Sequence, residues 1–208
     1  MADAPKRTKQ STDTRQAGLI EAALTLAARR NPADITTTDL AHEVGITQGA
    51  VFRHFANKEA IWLAVMEWVV DQLMQRLQAA AASNGHTDPL RALQDVFMAH
   101  VEFVMAYPGV PRVIFQELQH ADETPLKAAV RNLMQRYRVL VSSLLANAAQ
   151  MNLLARGTDA NAASVLFIGS MQGLVMQSLV NGQVHTIAAQ APGVFSIYLR
   201  GITLKEHP

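Results

Sequence analysis

Thr37-Thr38-Asp39-Leu40-Ala41-His42-Glu43-Val44-Gly45-Ile46-Thr47-Gln48-Gly49-Ala50-Val51-Phe52-Arg53-His54-Phe55-Ala56-Asn57-Lys58 is the stretch on which the fold turns. It divides into two short runs with helical spacing. Thr36 to Asp39 offer N-caps for the first, which carries Leu40, Ala41 and Val44, and Gly45 can take the left-handed conformation that ends it. Thr47 caps the second, which carries Val51, Phe52 and Phe55. Helices this short are unstable alone. They pack across a tight turn only if the residue facing the second helix is small, the turn residue tolerates positive φ, and the second helix returns an apolar side chain to the crossing. Ala41, Gly45 and Val51 meet those three needs, with Leu40, Val44 and Ile46 filling around them. The pattern is a helix-turn-helix whose second helix is predicted over about Gln48 to His54.

Moving outward, the apolar spacing is helical almost throughout, with no convincing period-two run, which predicts an all-α fold of about nine helices. Upstream, Leu19, Ile20, Ala23, Leu24 and Ala27 mark a first helix over 16–29 that completes a three-helix unit. Downstream, Asn57 caps a long helix from Lys58 to about Ala82, and Asp88-Pro89 opens another that runs to Tyr107-Pro108-Gly109. A short helix from Val110 to Gln119 follows. Thr124-Pro125 opens a long one predicted to close at Gly157, and two more are predicted over about Asp159 to Asn181 and Gly193 to Leu204. The expected organisation is a basic arm over 1–13 with Lys6, Arg7 and Lys9, a helix-turn-helix unit over 14–57, and a larger helical part over 58–208.

Composition narrows the partners. Of 208 residues 50% are hydrophobic and 17% charged, below the usual charged share of about 25%, so the chain carries more apolar surface than one protomer needs. The absence of cysteine excludes disulfides, thiolate zinc sites and cysteine nucleophiles. The polar N-terminus lacks the apolar stretch of a secretory signal, which predicts a cytoplasmic protein. Residues 160–199 contain no Asp, Glu, Lys or Arg. Gln172, Gln177, Asn181 and Gln183 interrupt that stretch, so it is expected to be buried against protein and not in a membrane. Gly169 and Gly173 at i, i+4 allow close helix approach, and Phe195, Tyr198, Leu199 and Ile202 mark the last helix. Together they predict a two-fold homodimer seam over residues 159–204, the other reading being a buried monomer core.

A helix held as the second of this unit fits the major groove of DNA, about 12 Å wide. The Thr47 hydroxyl and the amides that open the helix suit a phosphate oxygen. Gln48 can pair with base edges, adenine above all, and Arg53 with guanine or a phosphate. Gly49 permits close backbone approach, while His54 and Lys58 are placed to reach phosphates. Thr37, opening the first helix, joins this set. The formal net charge of +1 is uninformative here, because Arg53, His54 and Lys58 sit together on one segment.

Residues 35–59, with a small residue and glycine in the turn, Thr47 before the recognition helix, the run Phe52-Arg53-His54-Phe55 and the pair Lys58-Glu59, resemble the signature of the TetR family of bacterial transcriptional regulators. The resemblance covers about 45 residues; beyond them only helix number, lengths and order are similar. It implies a ligand-responsive repressor that binds a palindromic double-stranded operator as a dimer through its last two helices. Phe52 stands where the family often has tyrosine, so a hydroxyl contact to phosphate is lost and Phe52 is expected only to pack.

An apolar effector pocket is predicted from Met66, Trp68, Phe97, Met98, His100, Val101, Met105, Phe115, Tyr137, Phe167 and Met171, residues that could equally be ordinary core. His100 and His120 are candidate polar handles within or beside it. No enzyme constellation emerges: His42-Glu43 lacks a second histidine for zinc, no phosphate-cradling glycine loop is present, and Gly169-Ser170-Met171-Gln172-Gly173 is not a nucleophile elbow. No catalytic residue, metal or cofactor is expected. The alternative function is a small-molecule binding protein of the same fold without DNA binding.

Overall fold

The computed structural model describes residues 12–203, which form nine α-helices and one 3₁₀ turn. The helices are α1 (Thr12–Ala27), α2 (Thr37–Val44), α3 (Gln48–Val51), α4 (Lys58–Asn84), α5 (Pro89–Ala106), α6 (Gly109–Leu118), α7 (Pro125–Gln150), α8 (Ala160–Val180) and α9 (Thr186–Ile202), and the 3₁₀ turn is Pro32–Asp34. Of the side chains predicted to bind the first three helices together, Leu19, Ala23, Leu40 and Val51 are fully buried, and Ile35, ahead of α2, joins them. Burying each of the larger ones contributes about 1.5–3 kcal/mol. Short helices that cannot stand alone are thereby held by tertiary packing. Their floor is the start of α4, where Ile61 and Val65 are equally buried.

The long helices α4, α5 and α7 pack on one another, α8 lies on α7, and α9 bridges α8 and α5. Inside them sits an aromatic cluster. Phe97 meets Phe167 edge-on with centroids 5.3 Å apart, and Phe167 meets Tyr198 at 5.4 Å. By length and apolar composition alone α8 could cross a membrane; here its inner face, with Phe167, Met171 and Leu174, is packed against protein. Its outer face is different. Leu166 and Val180 are exposed on α8, as is Ile197 on α9, and a Cβ added to Gly169 or Gly173 would meet nothing within 4 Å.

Four helices have bounds that differ from the sequence expectation. Helix α1 begins at Thr12, within the span assigned to the arm, and ends at Ala27 before a turn; Lys6, Arg7 and Lys9 lie outside the described residues. Helix α3 ends at Val51, after which the Arg53 amide donates to the Ala50 carbonyl at 3.3 Å and the His54 amide to Val51 at 2.9 Å, a tightened last turn. Helix α7 stops at Gln150, not Gly157. Asn152 adopts φ 56° and the Leu153 amide reaches back to the Ala148 carbonyl at 2.9 Å, a Schellman-type end supplied by asparagine. The freed chain then pairs with the end of α9, the Ala155 amide donating to the Ile202 carbonyl at 2.9 Å. Finally α9 starts at Thr186 and carries Pro192 inside it. Proline removes one donor from the helix ladder. Both Pro192 and Ala188, whose carbonyl loses its partner, are exposed, so the helix tolerates it.

Candidate nucleic-acid interface

Thr36 caps α2 reciprocally with Asp39: the Asp39 amide donates to Thr36 Oγ1 at 3.1 Å, and the Thr36 amide donates to Asp39 Oδ2 at 2.7 Å. Arg30 closes the chain end of α1 onto this cap with a 2.9 Å ion pair to Asp39. The Arg30 guanidinium, helped by Thr36, holds the Asp39 carboxyl well below the usual carboxylate range. At the other end Gly45 stands at φ 69°, and the Ile46 amide donates to the Ala41 carbonyl at 2.9 Å. This left-handed stop aims α3 away from α2.

Thr47 caps α3 by accepting the Ala50 amide at 3.3 Å, which leaves its hydroxyl proton free to donate outward. Gln48 and Gly49 are exposed at the helix start, and nothing lies within 4 Å of a Cβ placed on Gly49. Arg53 is exposed, and its side chain has no hydrogen bond or ion pair among the described residues. Val51 and Phe55 point the other way into the core.

Several predicted contacts sit differently from expectation. Thr37 is nearly buried and accepts a hydrogen bond from Gln48 Nε2 at 2.8 Å, so the two act as one unit in which Gln48 keeps its carbonyl and a second N–H for a partner. The His54 ring is half-buried with Nδ1 enclosed and unpartnered, and its carbonyl accepts from Gln16 Nε2 at 3.0 Å. Only Nε2 is left to meet a phosphate, and the Gln16 bond holds this turn against α1. Lys58 donates to the Ala33 carbonyl at 2.8 Å, tying α4 to the 3₁₀ turn, with two further N–H donors available. Phe52, expected only to pack, is 47% exposed beside Arg53. The signal for that was its position: Val51 and Phe55, four apart, take the inward face, so Phe52 turns outward.

The predicted effector residues divide. Phe97, Tyr137, Phe167 and Met171 are completely buried and Met66 and Val101 nearly so; His100, Met98, Trp68 and Phe115 are half-buried, whereas Met105 is 41% exposed and faces outward. His100 Nδ1 shares a 3.2 Å hydrogen bond with the Tyr137 hydroxyl. Burial pushes the His100 pKa down to about 4 and raises that of Tyr137. The Tyr198 hydroxyl, in the same cluster, is enclosed without a partner. Two grooves lie elsewhere. One of 650 Å³ runs between the start of α4 and α6–α7 and is bordered by His120, and one of 520 Å³ between α1 and Tyr107 includes Trp68, the sole predicted effector residue on either.

Comparison with known proteins follows this geometry. The chain is 24% identical over 200 residues to the probable acrEF/envCD operon repressor of Escherichia coli K12, covering 94% of this chain and 90% of that one. Its fold superposes with a TM-score of 0.76 on FadR from Bacillus subtilis in complex with stearoyl-CoA, at 19% identity over 89% of this chain and 98% of that one. It superposes at 0.75 on the complex of SmeT with triclosan, at 18% identity over 95% of this chain and 94% of that one. These two structures share the fold. Residues 19–65, which hold the core of α1, the helix-turn-helix and the first turns of α4, match the model of bacterial regulatory proteins of the tetR family, and this N-terminal unit is of that family's type.

Proposed function

We propose that the chain is a cytoplasmic, homodimeric repressor that binds a palindromic DNA operator and is released from it by a small apolar or amphipathic ligand. Residues 14–57 form its DNA-binding unit and residues 58–208 its ligand-binding and dimerisation part. The observation that carries the reading is the exposure of Gln48 and Gly49 at the start of α3 and of an Arg53 side chain without a partner in the turn after it, over a buried Val51. The apolar outer face of α8 and α9, with Leu166, Val180 and Ile197, supports the dimer. Gly169 and Gly173 leave room for a second helix to approach. Two recognition helices in a dimer would meet half-sites about 34–36 Å apart. That structures of similar fold include the regulator FadR with stearoyl-CoA and SmeT with triclosan supports an amphipathic effector. Such an effector would be coupled to DNA by about 1–3 kcal/mol, reciprocally.

Fluorescence anisotropy tests this with an operator selected by the protein from random-sequence DNA, against a scrambled duplex, at several salt concentrations. Arg53→Ala and Gln48→Ala reduce the discrimination between the two duplexes, and Lys58→Ala weakens both. Absence of affinity for either duplex at every salt concentration would leave a small-molecule binding protein of the same fold. Light scattering reads the dimer: wild type at twice the protomer mass, Leu166→Glu shifted toward one.

A further inference from the structure

The 650 Å³ groove has walls from two separate stretches of the chain. The 3₁₀ turn and the first turns of α4 supply one, with Trp62 and Leu63; α6 and the start of α7 supply the other, with Val113, Glu117 and Leu126. Among these apolar side chains Glu117 is anomalous. It is 6% exposed, one of its carboxylate oxygens accepts the Thr124 hydroxyl, and no cation pairs with it among the described residues. A carboxylate withdrawn from water without a counter-charge is rare in folded proteins. The nearby cations are engaged elsewhere: Lys58 on the Ala33 carbonyl at 2.8 Å and Lys127 on the His120 carbonyl at 2.8 Å. Glu59 and His120, the remaining titratable groups on the groove, are exposed at its rim.

We infer that this groove binds an organic monocation with an apolar body, its charge against the free oxygen of Glu117 and its body against Trp62, Leu63 and Leu126. The site is separate from the buried aromatic cluster around Tyr137. Because one wall is the turn that Lys58 ties to α4, an occupant sets the separation between the helix-turn-helix and α6. That consequence rests on the DNA-binding reading; the binding site does not.

Tetraphenylphosphonium, a permanent cation, is the probe, and tetraphenylborate, of the same shape and opposite charge, its control. The chain has two tryptophans, so a Trp68→Phe background leaves Trp62 as sole reporter. The phosphonium changes Trp62 emission saturably and the borate does not. Glu117→Gln, which keeps an acceptor for Thr124, weakens phosphonium binding at least about tenfold, as expected when a charged partner is lost. Leu126→Trp, which fills the groove without touching the carboxylate, abolishes calorimetric binding in the otherwise native chain and serves should Glu117→Gln fail to fold. Equal binding of the two ions, or undiminished phosphonium binding by either variant, overturns the site. Selected-operator affinity is then measured with phosphonium present. A shift in wild type absent from Glu117→Gln supports the coupling, an unchanged affinity refutes the coupling alone, and absence of DNA binding refutes the regulator reading while the binding arms still report on the site.

Discussion

Gly109, the first residue of α6, is pressed against the end of α1, and replacing it with alanine should loosen the junction between the two. A Cβ built there would lie 2.3 Å from the Leu24 carbonyl oxygen, 2.9 Å from the Ala28 nitrogen and 3.1 Å from the Ala27 Cβ. Ordinary carbon–oxygen contacts start at about 3.3 Å, so α6 must retreat by about 1 Å from a backbone that cannot rotate away. Overpacking of this kind costs about 1–3 kcal/mol. The gain from alanine's helix propensity is at most about 1 kcal/mol in a helix interior and less at a first position. The expected net effect is a loss of about 1–2 kcal/mol in chemical denaturation. Gly18→Ala, on α1 itself, is the internal control: its Cβ would sit 3.9 Å from Val44 Cγ1, an ordinary contact, and should be neutral or stabilising by up to about 1 kcal/mol. Gly109→Ala with wild-type stability and wild-type operator affinity would refute the close packing of α6 on α1 and any role for it in moving the helix-turn-helix.

Phe52→Tyr adds a hydroxyl on the exposed face of the recognition unit and should tighten binding to selected and scrambled DNA alike, by about two- to tenfold for one new phosphate hydrogen bond; unchanged affinities would show that Phe52 does not face the duplex. His100 is held neutral by burial with its pKa near 4, so the unfolded chain binds the extra proton between pH 6.5 and 4 and stability falls as the pH falls through that window. Relative to His100→Gln, wild type should lose up to about 3 kcal/mol by pH 4, an upper value because the residue is half-exposed, and parallel pH profiles would disprove the burial. Thr36→Ala removes the α2 cap and should lower stability by about 1 kcal/mol in denaturant melts, with selected-operator affinity falling in step; a change below 0.3 kcal/mol would mean the cap is redundant (about one standard capping energy is at stake).

Local rules carried the N-terminal unit. Capping residues Thr36, Thr47 and Asn57, the left-handed Gly45 and the inward trio Ala41, Val51 and Phe55 each act within a few residues, so their signals are complete in the sequence. Orientation around α3 was less legible. Whether Phe52 or His54 faces solvent depends on how the last turn tightens and on Gln16 holding the His54 carbonyl 38 residues away. The end of α7 misled because Gly157 is the stronger stop signal, yet Asn152 takes the left-handed conformation first so that Ala155 can reach Ile202. Glu117 gave no sequence signal at all. A glutamate on an amphipathic ten-residue helix reads as surface until α7 and Thr124 cover it.

The division drawn at residues 57 and 58 follows composition, but the packing crosses it at several points. Helix α1 touches α2, α4 and α6, and the 3₁₀ turn touches α6. Two routes therefore run from the larger helical part to the recognition helix. Through α4 the link is the chain itself, reinforced where Lys58 holds Ala33. Through α6 it is contact alone, with Gly109 laid directly on the backbone of α1. Close-packed interfaces transmit displacement with little compression. Backbone-to-backbone contact has no side-chain rotamers to absorb a shift, so a movement of α6 must be passed to α1 and, through the 3.0 Å Gln16 bond, to the turn carrying His54 and Arg53. Under the proposed function, α6 is thus the stiffer of the two levers, and the groove beside it is where a ligand of moderate affinity would have most effect on DNA binding.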